Sequence, residues 1–274
     1  MNQQDRAKTF RQLHTQRPLV LPNAWDAASA RVIEQAGAAA IATTSAGVAW
    51  SYGHVDGQRL QRNEMIDVIR RIIQTVAIPV TADIEGGYGE GSIQDVIETV
   101  HAVLAAGAVG INLEDSPGQA GSALLAAEVH AERIQAARSA ARAAGIDLVI
   151  NARTDVYLLQ VGAPETRLAE AIRRANLYRA AGADCLFVPG VIDAATITAL
   201  VQSLNGPLNI MAMPGAPSIA QLGQLGVARV SLGPALAQRA LAMTQRAAHE
   251  LLTQGTYQTL EQRMPISEIN QLFR

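Results

Sequence analysis

Short apolar runs recur along the chain, each after a helix-like pattern that closes on small residues and a glycine. Ile33–Gly37 leads into Ala38–Ala42, Leu104–Gly107 into Val109–Glu114, Ala143–Gly145 into Leu148–Arg153, Ala180–Gly182 into Cys185–Val188, and Leu225–Gly226 into Arg229–Leu232. Glycine ends a helix well because it tolerates the left-handed conformation of the residue after the last turn. Leu19–Leu21, Ile78–Ala82 and Leu208–Met211 complete eight strand candidates with helical stretches between them. Successive candidates lie roughly 20 to 40 residues apart, a spacing that suits βα units. Runs apolar on both alternating faces are expected of parallel strands covered on both sides. Eight such units predict an α/β fold, a TIM-type (β/α)8 barrel with a C-terminal helical extension. An open doubly wound sheet is the weaker reading, because Pro22-Asn-Ala-Trp25 stands where a Gly-x-Gly-x-x-Gly turn would follow the first strand. No linker or charge block divides residues 1–274, so a single barrel domain is expected. Residues 251–274 are read as the extension, placed at a subunit interface.

One polar stretch interrupts this pattern. Thr81-Ala-Asp-Ile-Glu-Gly-Gly-Tyr-Gly-Glu-Gly91 follows an apolar strand start. Strand alternation puts Asp83 and Glu85 on one face, about 6.6 Å apart over two rises of about 3.3 Å. Two carboxylates at that separation repel by about 2.5 kcal/mol at an effective dielectric of about 20. Water, a proton or a cation must relieve that repulsion, and the glycines that follow leave room for a ligand. Ser92–Asp95 reads as a capped helix start. Polar residues also end the neighbouring strands: Asn23 and Asp26, Thr43–Gly47, Asn112 with Glu114 and Asp115, and Asn151 with Arg153 and Asp155. Barrel active sites form at these strand ends, and Arg153 is suited to a substrate carboxylate.

Composition narrows the chemistry. With 22 Lys and Arg against 24 Asp and Glu, the net charge of −2 gives no reason to expect nucleic acid or a membrane surface. No apolar run reaches the length of a membrane helix. The polar segment Met1–Lys8 lacks the apolar core of a signal peptide, so a cytoplasmic protein is expected. Lys8 is the only lysine and lies far from any strand end, which removes Schiff-base chemistry. The lone Cys185 rules out an intrachain disulfide and reads as a core residue. Carbanion chemistry here needs another electron sink, and a metal ion supplies one. His54 and Tyr88 are candidate proton carriers. His14, His101, His130 and His249 read as helix-surface residues.

Together, Thr44-Ser-Ala-Gly47, Asp56, Ala82-Asp-Ile-Glu-Gly-Gly-Tyr-Gly89, Gly110-Ile-Asn-Leu-Glu-Asp115 and Asn151-Ala-Arg-Thr-Asp155 resemble the isocitrate lyase and phosphoenolpyruvate mutase superfamily, in its order and spacing, over roughly residues 19–250. The resemblance implies a barrel that binds Mg²⁺, with Mn²⁺ as an alternative. Asp83 and Glu85 would be the carboxylates around the ion, with Glu114 and Asp56 in supporting catalytic roles. Ser45, Ala46 and Gly47 would hold an oxyanion, and Arg153 the carboxylate of a small 2-oxo-acid or 2-hydroxy-acid. Family habit also implies a homo-oligomer, a dimer or tetramer. Authentic isocitrate and methylisocitrate lyases carry a Lys-Lys/Arg-Cys-Gly-His lid motif, but here the loop reads Glu114-Asp-Ser-Pro-Gly-Gln-Ala-Gly-Ser122. The Lys and Asn of the phosphonate-processing branch are missing as well. The resemblance therefore points to a lyase that forms a pyruvate-type enolate from a small 2-oxo di-acid such as oxaloacetate. Alternatives are a class II-type aldolase, a (methyl)isocitrate lyase-like or phosphonopyruvate-type activity, and a barrel that binds 2-oxo-acids without turnover.

Overall fold

The computed structural model describes residues 1–15, 18–118 and 123–274. After helix α1 (Gln3–Leu13), strands β1 (Leu19–Leu21) and β2 (Asn23–Ala24) lead to α2 (Ala27–Gln35). Strand β3 (Ile41–Thr43) is followed by α3 (Ser45–Ser51) and α4 (Arg62–Thr75), β4 (Val80–Asp83) by α5 (Ile93–Ala106), and β5 (Gly110–Glu114) by α6 (Ala127–Ala143). Then come β6 (Val149–Arg153), α7 (Arg167–Ala180), β7 (Cys185–Phe187), α8 (Ala194–Ser203), β8 (Leu208–Met211), α9 (Ile219–Gln224), β9 (Arg229–Ser231), α10 (Ala235–Gln254) and α11 (Ile266–Leu272).

All strands pair in parallel, in the order β1-β9-β8-β7-β6-β5-β4-β3-β2. Strands β1 and β2 are two halves of one barrel strand, interrupted at Pro22. The first half pairs with β9 and the second with β3, so the circle is completed at this seam. Asn23 bridges it: its Oδ1 accepts from Leu232 N at 2.9 Å, and its Nδ2 donates to Thr43 O at 2.9 Å. The expected eight-unit barrel is the observed one. The glycines that closed each helical pattern, Gly37, Gly107, Gly145, Gly182 and Gly226, all take positive φ, between 71° and 111°. Ser92 caps α5 through a reciprocal pair with Asp95, as its sequence indicates.

Most of the core lies between the strands and the surrounding helices, with Ile69, Ile72, Val96, Val100, Ile134 and Ala141 turned onto the sheet. A second cluster fills the lower interior, where Phe10 of α1 is fully buried among Leu19, Leu21, Ala40, Ala42, Val109 and Val149. Burying a side chain of that size contributes about 1.5–3 kcal/mol, and here it plugs the barrel floor. Helix α10 runs past residue 251 to Gln254, and α11 returns to α2, where Arg31 Nε donates to Leu272 O. No helix among the described residues is long and apolar enough to cross a membrane.

Candidate active site

A cavity of ≈ 230 Å³ opens at the C-terminal ends of the strands and reaches into the barrel. Asp83, at the end of β4, is its central acid. Its Oδ2 accepts from Ser45 N (3.1 Å) and Ser45 Oγ (2.8 Å), while its Oδ1 accepts from Asn112 Nδ2 (2.9 Å). Asn151 Nδ2 in turn donates to Asn112 Oδ1 at 2.9 Å, and Asp83 N donates to Thr43 Oγ1 at 2.8 Å. Thus β3, β4, β5 and β6 each supply one polar side chain to a continuous network, fixed by register pairs such as Asp83 with Asn112. Ser45, expected to hold an oxyanion with Ala46 and Gly47, has both its N–H and its hydroxyl engaged on Asp83. Ala46 lines the cavity, whereas Gly47 packs outside it. An added Cβ at Gly47 would lie 2.8 Å from Trp25 Cβ.

Glu85 does not share the face of Asp83. The strand ends at Asp83, and Glu85 takes φ 49°, so strand alternation no longer applies. Its buried carboxylate accepts from Gln58 N and, at 3.0 Å, from Tyr88 OH, and it does not line the cavity. Burial and the charges of Asp83 and Asp56 push its pKa up to about 7. Tyr88 is also buried, so its hydroxyl supports Glu85 and does not reach the cavity wall. His54 is exposed and likewise outside the lining. Asp56 lies at the rim, its pKa raised by desolvation and by Asp83. Glu114 is buried at the end of β5, where burial drives its pKa well up against the opposing charge of Arg153.

Arg153 is held from two sides. Nη1 lies 2.8 Å from Glu114 Oε2, and Nε and Nη2 donate to Asp155 at 2.6 and 3.0 Å. Nε and one N–H of Nη2 are thereby engaged in hydrogen bonds and Nη1 in an ion pair, which leaves N–H groups of the two Nη atoms for a ligand. The guanidinium carbon lies 5.9 Å from the centroid of Phe187, which also lines the cavity. Asp115 faces away from the mouth. It receives Tyr178 OH at 2.8 Å and Arg174 Nη1 at 3.1 Å, and it accepts from Asp155 N at 3.0 Å, so it anchors the support behind Arg153. Nor is His130 a surface residue. It is fully buried on the inner face of α6, edge-on to Tyr178 at 4.7 Å. Cys185 is buried in β7, as its apolar setting suggests.

Sequence reading missed Gln58, whose backbone is left-handed at φ 56°. Its N–H serves Glu85, its Oε1 accepts from Tyr88 N (2.7 Å), and its Nε2 donates to Pro117 O (3.3 Å). Beside it, a Cβ on Gly57 would lie 2.5 Å from Gly118 O, so the loops after β3 and β5 meet backbone to backbone. Residues 119–122, the far part of the loop that stands where the lid motif would be, lie outside the described residues.

The donor set suits a hydrated divalent cation. Among the described residues no group of three His, Cys, Asp or Glu side chains is arranged to hold an ion directly. Asp83 and Asp56 are the carboxylates in the lining, with Glu85 and Glu114 behind. Burial first, and then the charges of neighbouring acids, raise the pKa values of Glu85, Glu114 and Asp56. Mg²⁺ characteristically keeps several waters and takes one or two protein carboxylates.

The phosphoenolpyruvate phosphomutase family model matches residues 10–252. The chain is 38% identical over 231 residues to an uncharacterized protein of Mycobacterium tuberculosis, covering 82% of this chain and 81% of that one. It is 33% identical over 167 residues to an oxaloacetate decarboxylase of Rhodopseudomonas palustris, a match spanning 59% of this chain and 54% of the relative. The fold is similar to that of 2,3-dimethylmalate lyase, a PEP mutase/isocitrate lyase superfamily member, with a TM-score of 0.84 and 28% identity over 97% of this chain and 94% of the other. Sequence model, relatives and strand-end geometry converge, and the chain belongs to the phosphoenolpyruvate phosphomutase family, within the isocitrate lyase/PEP mutase superfamily.

Proposed function

We propose that this protein is a Mg²⁺-dependent carbon–carbon lyase that decarboxylates or cleaves a small 2-oxo di-acid such as oxaloacetate, with Mn²⁺ as an alternative ion. One observation carries the choice. Among the described residues the cavity lining contains Asp83, Asp56 and two arginines but no His, Cys, Lys or Tyr, and residues 119–122 are Gln-Ala-Gly-Ser. A retro-aldol cleavage of a 2-hydroxy tricarboxylate needs a base on the hydroxyl and an acid on the carbanion, and such groups typically contribute 10²–10⁴-fold each. Decarboxylation of a β-keto acid needs neither until its enolate is protonated, which water can do. The similarity to an oxaloacetate decarboxylase supports the same reading.

In this reading Asp83 would hold the cation, with Asp56, Glu85 and Glu114 as the surrounding acids. The cation supplies Lewis-acid stabilisation of negative charge on the 2-oxo oxygen. Ser45 and Asn112 fix the Asp83 carboxylate in place before substrate arrives. Arg153, pinned by Glu114 and Asp155, presents its remaining N–H groups to the substrate's carboxylate. The start of α3 at Ser45 and Ala46 sets the positive end of a helix dipole toward developing charge. A homo-oligomer is part of the proposal. Leu252, Tyr257, Ile266 and Phe273 leave apolar surface exposed near the C-terminus, as an interface between subunits would use.

The test is pyruvate formation from oxaloacetate with Mg²⁺, against metal-only and EDTA-treated controls, with 2-methylisocitrate in parallel. Turnover of oxaloacetate alone is expected. Efficient cleavage of the tricarboxylate would overturn the reading, because the described lining contains no His, Cys, Lys or Tyr to serve as the second proton-transfer group.

A further inference from the structure

A second arginine lines the cavity. Arg229, the first residue of β9, is 2% exposed and lines the cavity wall. Its Nε and Nη1 find no hydrogen-bond partner among the described residues. Asp83 acts on it through its field alone, with no hydrogen bond or ion pair joining the two. Asp184, the acid that acts on His14 beneath Arg229, is paired with Arg11 and Arg138. His14 on α1 is turned to the carbonyl of Phe10 at 2.8 Å, and burial and the charge of Arg229 hold its pKa down to about 4, so it is neutral. Burial brings the Arg229 pKa down to about 10, against the opposing influence of Cys185 and Asp83, which leaves the guanidinium charged at neutral pH. A buried, charged, unpaired guanidinium is among the costliest arrangements a core can hold. Such a cost is tolerated at functional sites, where a ligand removes it.

The surroundings show what the ligand must be. Thr81 Oγ1, Asn151 Oδ1 and Asn209 Oδ1 line the same cavity and also lack partners. Water would satisfy these neutral groups, but it would leave the positive charge of Arg229 uncompensated. An anion satisfies it, and a carboxylate matches the fork of a guanidinium with two parallel hydrogen bonds.

Resting on the enolate-site reading above, we propose that Arg229 is the specificity-determining residue for the distal carboxylate of a di-acid. The substrate would span the cavity, with its 2-oxo acid end at Asp83 and Arg153 and its second carboxylate on Arg229. Mono-acids such as pyruvate would leave Arg229 unpaired and bind weakly, so Arg229 selects for di-acids.

Calorimetric titration in saturating Mg²⁺ with oxalate, which has no distal group, and with malate, which has one, tests this. Wild type is expected to bind both. In Arg229→Met the affinity for malate falls by at least about tenfold, while oxalate binding is unchanged and the ligand-free protein unfolds at a higher temperature because an unpaired charge has left the core. Arg229→Lys, which keeps the charge, retains part of the malate affinity. Equal weakening of malate and oxalate in Arg229→Met, or no weakening of malate, overturns the proposal. Wild type that binds oxalate but not malate overturns the subsite and leaves the enolate site standing, whereas wild type that binds neither overturns both. Inorganic phosphate is the third probe: if phosphate binding depends on Arg229 and malate binding does not, the site takes a free anion and the substrate role falls.

Discussion

Tyr88 donates its phenolic hydrogen to Oε1 of Glu85 over 3.0 Å, and both residues sit in left-handed backbone at φ 59° and 49°. Two non-glycine residues in that region, three positions apart, are sterically disfavoured. Their side chains are thereby turned toward each other and away from the cavity. The tyrosine is thus a support for a buried acid. Tyr88→Phe is expected to destabilise the metal-free protein by about 1–3 kcal/mol, the cost of leaving a buried acceptor short of a donor. Urea unfolding measures that loss. Deuterium incorporation into pyruvate during oxaloacetate turnover in D₂O should remain unchanged, and a loss of incorporation would return Tyr88 to the role of proton donor.

Asp83 is the acceptor for Ser45 N, Ser45 Oγ and Asn112 Nδ2 at once. Asp83→Ala removes the carboxylate in direct reach of a cation and strands three donors. Metal-dependent turnover of oxaloacetate is expected to fall by about a hundredfold or more, with saturation by Mg²⁺ lost over the same titration range. Full turnover in this variant would dismiss the site.

His130 gives stability a pH dependence that can be isolated. Burial, with the charge of Arg133, lowers its pKa from 6.5 to about 3 in the folded chain. A depressed pKa contributes stability that is full above the unfolded value and is lost as pH falls through the folded one. From 6.5 downward the loss approaches about 1.4 kcal/mol per pH unit. Glu85 acts in the opposite sense. Its pKa is raised from 4.5 to about 7, so its contribution is full below 4.5 and is lost as pH rises through about 7. Comparing wild type with His130→Phe by urea unfolding removes the shared terms. The gap between them should shift against wild type as pH is lowered from about 7 to about 5, and a gap independent of pH would contradict the buried neutral imidazole.

Gly57 has φ 102°, and a Cβ there would lie 2.5 Å from Gly118 O. The obstacle is backbone, so the contact cannot relax by a side-chain rotation. Gly57→Ala is expected to raise KM and lower kcat for oxaloacetate by displacing Asp56 and Gln58, and to lower the melting temperature because the displaced Gln58 N–H no longer serves the buried Glu85. Steady-state kinetics with thermal unfolding separates the two effects.

The strands were legible because parallel strands covered on both faces must be apolar along their length, and because each preceding helix ends on a glycine such as Gly107 at φ 100°. Asp83, Ser45 and Arg153 were legible for a related reason: polar side chains at the ends of apolar strands have few places to go other than the mouth of a barrel. Period-two alternation misled at Glu85, because it holds only while the strand lasts and β4 ends at Asp83. Gln58 carried no signal, since its partners Glu85 and Pro117 come from loops far along the chain. His130 was misread because α6 carries polar residues on its inner face as well, where Arg133 is buried beside it. Arg229 opens an apolar run and resembles a charge at a strand's entry. Its inward direction follows from counting back two residues from Ser231, which also faces the interior.

Gln58 joins three separate loops through its N–H, its carbonyl oxygen and its amide nitrogen. An excursion that frees this one residue, backbone N–H and side chain, releases the loops after β3, β4 and β5 together, so the rim has one opening event in place of three. The backbone hydrogens of Gln58 and Tyr88, donated to Glu85 and to Gln58 respectively, therefore exchange with solvent through a shared sub-global opening that leaves the barrel intact.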